Sequence, residues 1–461
     1  MVSELILQNP WWDDVHKIHD DRYLQRIATL PFRYQPSVIS TQDLAQSGVM
    51  TLRGPRQIGK TTYLKALIRD LLERKIPATS IFYYNTELLA NERELFEIVR
   101  TFAEFASTGK RYIFLDEITL VPRWEYAVKH AVDIGLGEKT LFIVSGSSAV
   151  DLRRGGERLP GRRGIVQPDR VLLPLSFRQY CLLQNYDKTE AMTIRAWQES
   201  LAGLLPKIKI FFPRLQSYFE SYLSHGGFPL AIADYLQARA VLPTTLETYK
   251  AVIISDFEKW RKDRITLRDI SRRILASLST PLSWNGLAQD AGGIAANTAK
   301  EYVQLLADSY LLYILEFLNK GRKSASPNKN RKLYPFDPLI YQVLAQIATT
   351  TFDPSAASQL IEGLVGEALM RNTEIELFEG FSRLTSTFYW RSTREKEVDF
   401  VVIWNGEEIP IEVKYQSRIS PSDYTTIKRS FGKGLVLTKD AFFQENEIYG
   451  LPVACFLYLL P

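Results

Sequence analysis

The period of the apolar residues changes several times along this chain, and each change marks an element. Val49–Arg53 is a short apolar run that predicts a strand. Leu64, Leu67, Ile68, Leu71 and Leu72 recur at helical spacing, so Tyr63–Leu72 predicts an amphipathic helix. Further strands are expected at Ile81–Asn85, Arg111–Ile118, Thr140–Ser145 and Val171–Pro174. Strands alternating with helical stretches predict an α/β fold, a parallel sheet with ligands at the strands' C-terminal ends. From residue 225 the pattern turns helical, through Ala231, Ile232 and Leu236. Ser283 is the expected N-cap of a helix that buries Leu287, Ala288 and Ala291. A Gly292-Gly293 turn follows, then a second helix, Asn297–Leu312, with Tyr302, Val303, Leu305, Leu306 and Leu312 inward. Gln359–Arg371 carries one more apolar stripe, bordered by Glu367 on one side and Glu362 on the other. Last come two strands, Glu397–Ile403 and Pro410–Tyr415, joined by a turn at Trp404–Glu408.

Composition narrows the class. The 461 residues are 46% apolar and 24% charged, which excludes a disordered chain and predicts two to four domains. No apolar run is long enough to span a bilayer, and the first ten residues do not read as a signal peptide. Two cysteines, Cys181 and Cys455, support neither a disulfide framework nor a zinc site, and a reducing, cytoplasmic setting is expected. His16, His19, His130 and His225 lack ligand spacing. A net charge of +5 is compatible with nucleic acid without requiring it.

The chemistry is densest between the first strand and the first helix. Gly54-Pro-Arg-Gln-Ile-Gly-Lys-Thr-Thr62 has the full G-x-x-x-x-G-K-S/T spacing of a Walker A phosphate loop. Gly54 and Gly59 let the backbone turn its N–H groups toward phosphates. Lys60 reaches the β- and γ-phosphates, Thr61 takes a Mg²⁺ position, Thr62 completes the nucleotide-binding loop, and the helix N-terminus adds its dipole to the anion site. ATP with Mg²⁺ is the expected ligand. Arg111–Ile118 ends in Asp116-Glu117, a Walker B pair: Asp116 holds the metal and Glu117 orients or deprotonates the attacking water. Thr140–Ser145 is expected between the two Walker strands, with Ser147 or Ser148 sensing the γ-phosphate. An arginine-rich loop follows, with Arg153, Arg154, Arg158, Arg162 and Arg163. One of these could serve a neighbouring subunit's nucleotide, which implies a homo-oligomer such as a hexamer, or the loop could touch DNA phosphates.

The two helices around Gly292-Gly293 form a helix-turn-helix pattern, with Thr298, Lys300, Glu301 and Gln304 outward on the second. Lys320, Arg322, Lys323, Lys329, Arg331 and Lys332 follow without an intervening acid, as a basic wing beside it would, and DNA is the expected partner. In the last hairpin Glu412 and Lys414 share a strand face, and pairing can bring Asp399 beside them. This is the D…E-x-K pattern of restriction-endonuclease-like nucleases. Asp399 and Glu412 would bind Mg²⁺, Lys414 would act on the attacking water, and Glu367 is the expected helix-borne carboxylate, with Glu362 its rival.

Gly54-Pro-Arg-Gln-Ile-Gly-Lys-Thr-Thr62, Ile113-Phe-Leu-Asp-Glu117, Ser145-Gly-Ser-Ser148, Pro174-Leu-Ser-Phe-Arg178 and Gly226-Gly-Phe-Pro229 together resemble an archaeal and bacterial AAA+ (STAND-like) ATPase family. The resemblance covers nearly the whole chain. It implies a P-loop core (1–205), a helical lid (206–265), a winged helix (266–335) and a restriction-endonuclease-like domain (336–461). It also implies that Pro229 packs on the adenine and that Arg162 or Arg178 approaches the γ-phosphate. The expected function is ATP hydrolysis coupled to DNA binding, remodelling or Mg²⁺-dependent cleavage. The rival is a STAND-like switch whose C-terminal domains bind a protein or DNA without cutting.

Overall fold

The computed structural model describes residues 2–106, 109–146, 152, 155–159, 165, 167–351, 357–377 and 386–461. The chain divides into two compact units, Met1–Leu173 and Pro174–Pro461.

The first unit is built on five strands: β1 (Gly48–Arg53), β2 (Ile81–Asn85), β3 (Arg111–Asp116), β4 (Thr140–Ser145) and β5 (Asp169–Val171). All pair in parallel, in the order β2-β3-β4-β1-β5. Every residue of β1 and β4 is buried, the mark of a sheet covered on both faces. The α/β class and the position of the strand Thr140–Ser145 between the two Walker strands are as expected. The first helix, Lys60–Glu73, starts three residues before the apolar period does. Gly59 (φ 100°) turns the chain there, and the first-turn residues Lys60, Thr61 and Thr62 are polar, which delays the apolar period. The edge strand β2 is covered by the N-terminal segment. The Asn9 carboxamide accepts from Tyr83 N–H at 2.6 Å and donates a hydrogen bond to Tyr83 O at 2.9 Å, which occupies an otherwise open strand edge.

The second unit begins with helices, among them Trp197–His225, which runs unbroken through residue 205. After the helices Pro229–Ala238 and Pro243–Lys259 come three more: Arg264–Ala276, Trp284–Asp290 and Ala296–Asp308. Ser283 caps the second of them, accepting from Gly286 N–H at 2.9 Å. The third ends earlier than its apolar pattern does. Tyr310 adopts φ 58°, and Leu312 lies in strand β6 (Leu312–Leu315) rather than on the helix. β6 pairs antiparallel with β9 (Lys332–Pro335), and between them lies a small hairpin of β7 (Leu318–Asn319) and β8 (Ser324–Ala325). A six-stranded mixed sheet closes the unit, in the order β10-β11-β12-β13-β15-β14. Its strands are β10 (Thr387–Arg391), β11 (Glu397–Trp404), β12 (Glu407–Lys414), β13 (Lys433–Thr438), β14 (Phe443–Glu445) and β15 (Glu447–Pro452). The helix Ala357–Leu377 lies against β9, β10 and β11. No helix among the described residues is long and apolar enough to cross a membrane.

His225 ends the long helix in full burial, between the rings of Tyr180 and Tyr235 at 4.8 and 4.7 Å. Burial pushes its imidazole down to about 4. Between that value and the unfolded pKa of about 6.5, the unfolded chain binds the extra proton. His225 therefore costs stability as pH falls through this window, and the loss levels off below about 4. His225→Phe, which keeps the ring, is expected to remove roughly 3 kcal/mol of that acid-side loss. Urea unfolding of both proteins from pH 7 to pH 4 measures it. Parallel pH profiles would reject it.

Candidate functional site

At the mouth of the parallel sheet, Gly54 (φ 146°) and Gly59 (φ 100°) bracket a loop with Gln57 also in the left-handed region (φ 59°). A Cβ on Gly54 would sit 2.1 Å from Leu172 O, so only glycine lets β1 pass β5 at this point. Lys60 is 7% exposed, and its ammonium donates to Gly54 O and Pro55 O, each at 3.0 Å. The lysine thus lies inside the loop that frames the phosphate site, at the N-terminus of a 14-residue helix. Thr61 lies on the next position and Thr62 follows it, both half-buried.

Asp116 ends β3 with no exposed surface. Its Oδ2 accepts from the Thr61 hydroxyl at 2.6 Å and from the Tyr83 hydroxyl at 3.1 Å. Its Oδ1 accepts from Glu117 N–H at 3.1 Å and from the Ser145 hydroxyl. Four donors from four places thus fix this carboxylate. The Thr61–Asp116 pair suits a hard cation held by oxygen, and Mg²⁺ bound there would neutralise charge on the β- and γ-phosphates. Glu117 is half-buried and adopts φ 55°, ψ 31°, a left-handed conformation that non-glycine residues rarely take and that recurs at functional sites. Tyr83 and Ser145 went unnoticed in the sequence because nothing in their spacing distinguishes them from core. The ring of Tyr83 carries Lys65 3.4 Å from its centroid, and Lys65 lies 3.5 Å from Asp21. Ser147, Ser148, Arg153, Arg154, Arg162 and Arg163 lie outside the described residues. Arg158 is exposed and pairs with Glu125 at 3.1 Å.

In the second unit, β11 and β12 pair so that Phe400 faces Ile411, which brings Asp399 beside Glu412. Asp399 Oδ2 accepts from Val413 N–H at 2.8 Å, and Lys414 donates to Glu412 at 2.6 Å. The grouping of Asp399, Glu412 and Lys414 is therefore present. Its surroundings differ from expectation in two ways. Glu367 is not part of it: five helix positions separate it from Glu362, so the two point well apart. Glu367 instead pairs with Arg371, which donates to Pro174 O at 2.6 Å. Burial raises its pKa against the pull of Arg371. Glu362 is the helix carboxylate that reaches the cluster. The second correction is Lys332. Expected on an exposed wing, it is 0% exposed, and its ammonium lies 2.8 Å from Glu362, 2.6 Å from Glu397 and 3.8 Å from Asp399.

Burial opposes charge throughout this cluster; ion pairing outweighs it at Lys332 and Glu362, and burial prevails at Asp399 and Glu412. Lys332 is held above its ordinary pKa by the three carboxylates. Glu362 lies below the usual carboxylate range because Lys332 outweighs its burial. Burial and the Glu412 charge push Asp399 well above that range, and burial also raises Glu412 against Lys414. Among the described residues no three His, Cys, Asp or Glu side chains are placed to hold a metal ion. A magnesium ion does not fit the cluster as it stands, because the Lys332 ammonium already lies among its carboxylates.

Residues 46–181 match the family model of an AAA domain. That AAA-like segment spans both Walker elements. Residues 216–351 and 358–456 match two domains of unknown function, DUF8612 and DUF4143. No curated protein sequence matches the chain. Among solved structures, the Walker-type ATPase of Pyrococcus abyssi aligns at 17% identity over 66% of this chain and 92% of its own, with a TM-score of 0.41. The ORC2 protein of Aeropyrum pernix, in ADPNP–ADP complexes, aligns at 13% identity over 72% and 97%, with a TM-score of 0.38. The ORC1 protein of Aeropyrum pernix, in complex with DNA, aligns at 12% identity over 65% and 86%, with a TM-score of 0.27. These superpositions are loose, and the nucleotide site rests on the residues of the AAA-like segment.

Outside that segment the remaining expected residues fall differently. Pro229 is the first residue of the helix Pro229–Ala238, after a turn in which Gly227 N–H donates to Asp337 at 2.8 Å. Arg178 does not present a free guanidinium to a phosphate. It is 8% exposed and donates to Tyr458 O at 2.8 Å and Thr189 O at 2.7 Å, which makes it a tie within the second unit. Of the expected wing cations, Arg331 is also buried, stacked 4.3 Å over Trp284. Lys320 is held by Ser430 O at 3.1 Å and Glu408 at 3.2 Å. Arg322, Lys323 and Lys329 are exposed, as is Lys300 on the helix Ala296–Asp308.

Proposed function

We propose that the AAA-like first unit binds ATP with Mg²⁺ and hydrolyses it, and that the second unit binds DNA under the control of the nucleotide. The observation that carries the first half is the assembled Walker pair: Thr61 and Asp116 in contact at 2.6 Å, with Lys60 drawn into the loop beside them. In this reading Lys60 and the loop N–H groups hold the phosphates, Asp116 and Thr61 hold the metal, and Glu117 orients water for in-line attack. Ser145, through Asp116, links the neighbouring strand to the state of the γ-phosphate.

The three short helices with the β6–β9 pair and the β7–β8 hairpin support a winged helix over roughly residues 266–335. Asp399, Glu412 and Lys414 on paired strands, beside a helix carboxylate, support a restriction-endonuclease-like fold for 336–461. The lid is proposed to start at Pro174 and to run to about 265, since the helix Trp197–His225 leaves no break at residue 205. Pro229 remains the proposed adenine contact, and an assembly of several copies remains part of the reading. The Lys332 pairing favours DNA binding without cleavage, which is the switch-like form of this function.

ATP turnover measured with and without single-stranded, duplex and branched DNA tests the coupling. A rate indifferent to every DNA would leave an ATPase switch for some other partner. For the DNA interface, replacing Lys300, Arg322, Lys323 and Lys329 with Gln is expected to weaken binding to all sequences alike. The salt slope should flatten by about one for each phosphate that is no longer neutralised. Native affinity and native slope in that variant would leave these residues as solvated surface.

A further inference from the structure

We infer that Lys332 is a built-in substitute for a divalent cation, and that its ammonium keeps the carboxylate cluster of the second unit closed to metal. Three carboxylates from two elements, Glu362 on the helix Ala357–Leu377 and Glu397 and Asp399 on β11, surround one fully buried ammonium. The ammonium donates to Glu362 at 2.8 Å, lies 2.6 Å from Glu397, and faces Asp399 at ion-pair distance, 3.8 Å. In the wider cluster the compensating charge also comes from the chain, with one carboxylate in excess. Four carboxylates (Glu362, Glu397, Asp399, Glu412) face three cations (Lys332, Arg391, Lys414), all supplied by the chain. Paired strands carry Asp399 and Glu412 side by side, a repulsion that a metal-dependent hydrolase offsets with a dication. Here the chain's own lysines supply the positive charge, through ion pairs. A dication entering beside Lys332 would meet a like charge within about 4 Å, in a site with little water to screen it. One oxygen is left over. Glu412 is 6% exposed, and its Oε2 has no hydrogen-bond partner among the described residues. With Lys332 removed, that oxygen, the Asp399 oxygen and the Glu362 oxygen would be open to a hard cation.

This goes beyond the proposed ATPase and DNA roles, and its test involves neither ATP nor DNA. Nucleotide-free full-length protein is titrated with Mn²⁺ and followed by the paramagnetic resonance of the free ion. Wild type, Lys332→Met and the double variant Lys332→Met with Glu412→Gln are compared. Lys332→Met is expected to gain one Mn²⁺ site at least tenfold tighter than anything wild type offers, and the double variant is expected to lose it. Lys332→Met should also melt below wild type and recover roughly 3 °C when Mn²⁺ is ten times its Kd. Wild type should show no such rise. A folded Lys332→Met that gains no site overturns the inference. Should that variant not fold, wild-type crystals soaked in Mn²⁺ decide the question by anomalous scattering. Manganese between Asp399 and Glu412 overturns the inference, and a cluster without manganese supports it.

Discussion

Glu117→Gln is expected to bind ATP with near-native affinity and to lose 10²- to 10⁴-fold in turnover, the range for removing a positioned acid–base group. The amide keeps the size of the side chain and can still meet water, but it cannot take the proton or carry the charge that orients the nucleophile. Binding survives because the phosphate contacts come from elsewhere. The loop N–H groups, Lys60 and the Thr61–Asp116 pair are untouched by a change at residue 117. Lys60→Ala should fail in the complementary way. In the proposed reading its ammonium contacts the β- and γ-phosphates, so ATP affinity should fall roughly 10- to 100-fold, the worth of one charged hydrogen bond. Equilibrium binding of a fluorescent ATP analogue and steady-state phosphate release separate the two defects. Wild-type turnover in both variants would remove the Walker assignment.

The other large effect is expected at Gly54. A methyl there would lie 2.1 Å from Leu172 O and 3.1 Å from its carbonyl carbon, on a backbone with φ 146°. Neither neighbour is a side chain that can swing away, because both belong to the main chain beside β5. Gly54→Ala should therefore cost roughly 3–5 kcal/mol and lower the melting point by roughly 10 °C, with loss of nucleotide binding. Gly59→Ala makes the contrast. Its nearest neighbour is Thr62 Cβ at 4.0 Å, so it meets only the backbone strain of φ 100° and should remain folded close to the native melting point. Calorimetry of the two variants checks this pair. Equal losses would mean that the passage past β5 is not what requires glycine at residue 54.

The division between what was legible and what was not follows from how far apart in the chain the partners lie. Walker A is a local object. Its glycines, lysine and threonine act through a backbone turn nine residues long, and an unbroken apolar strand before it and a helical period after it are visible without a structure. The same holds for Asp116 at the end of an apolar run, for the Ser283 cap, and for the hairpin that sets Asp399 beside Glu412, where register follows from a short turn. The sequence by itself therefore determined the α/β class, the nucleotide loop and the D…E-x-K grouping.

Tertiary structure alone decided which charges stay in water. Arg331 and Lys332 stand next to each other in a basic run that reads as solvent-facing. β9 enters the core there, so one stacks on Trp284 and the other meets carboxylates 30, 65 and 67 residues away in sequence (Glu362, Glu397, Asp399). No spacing rule reports such a meeting. The choice between Glu362 and Glu367 is the same kind of decision. Both border one apolar stripe, and only the placement of the helix against β9 turns Glu362 inward to Lys332 and leaves Glu367 to Arg371. Burial makes such pairings compulsory, since a charge taken from water must find its opposite or surrender its proton. The partner is then set by whichever strand or helix the fold brings alongside.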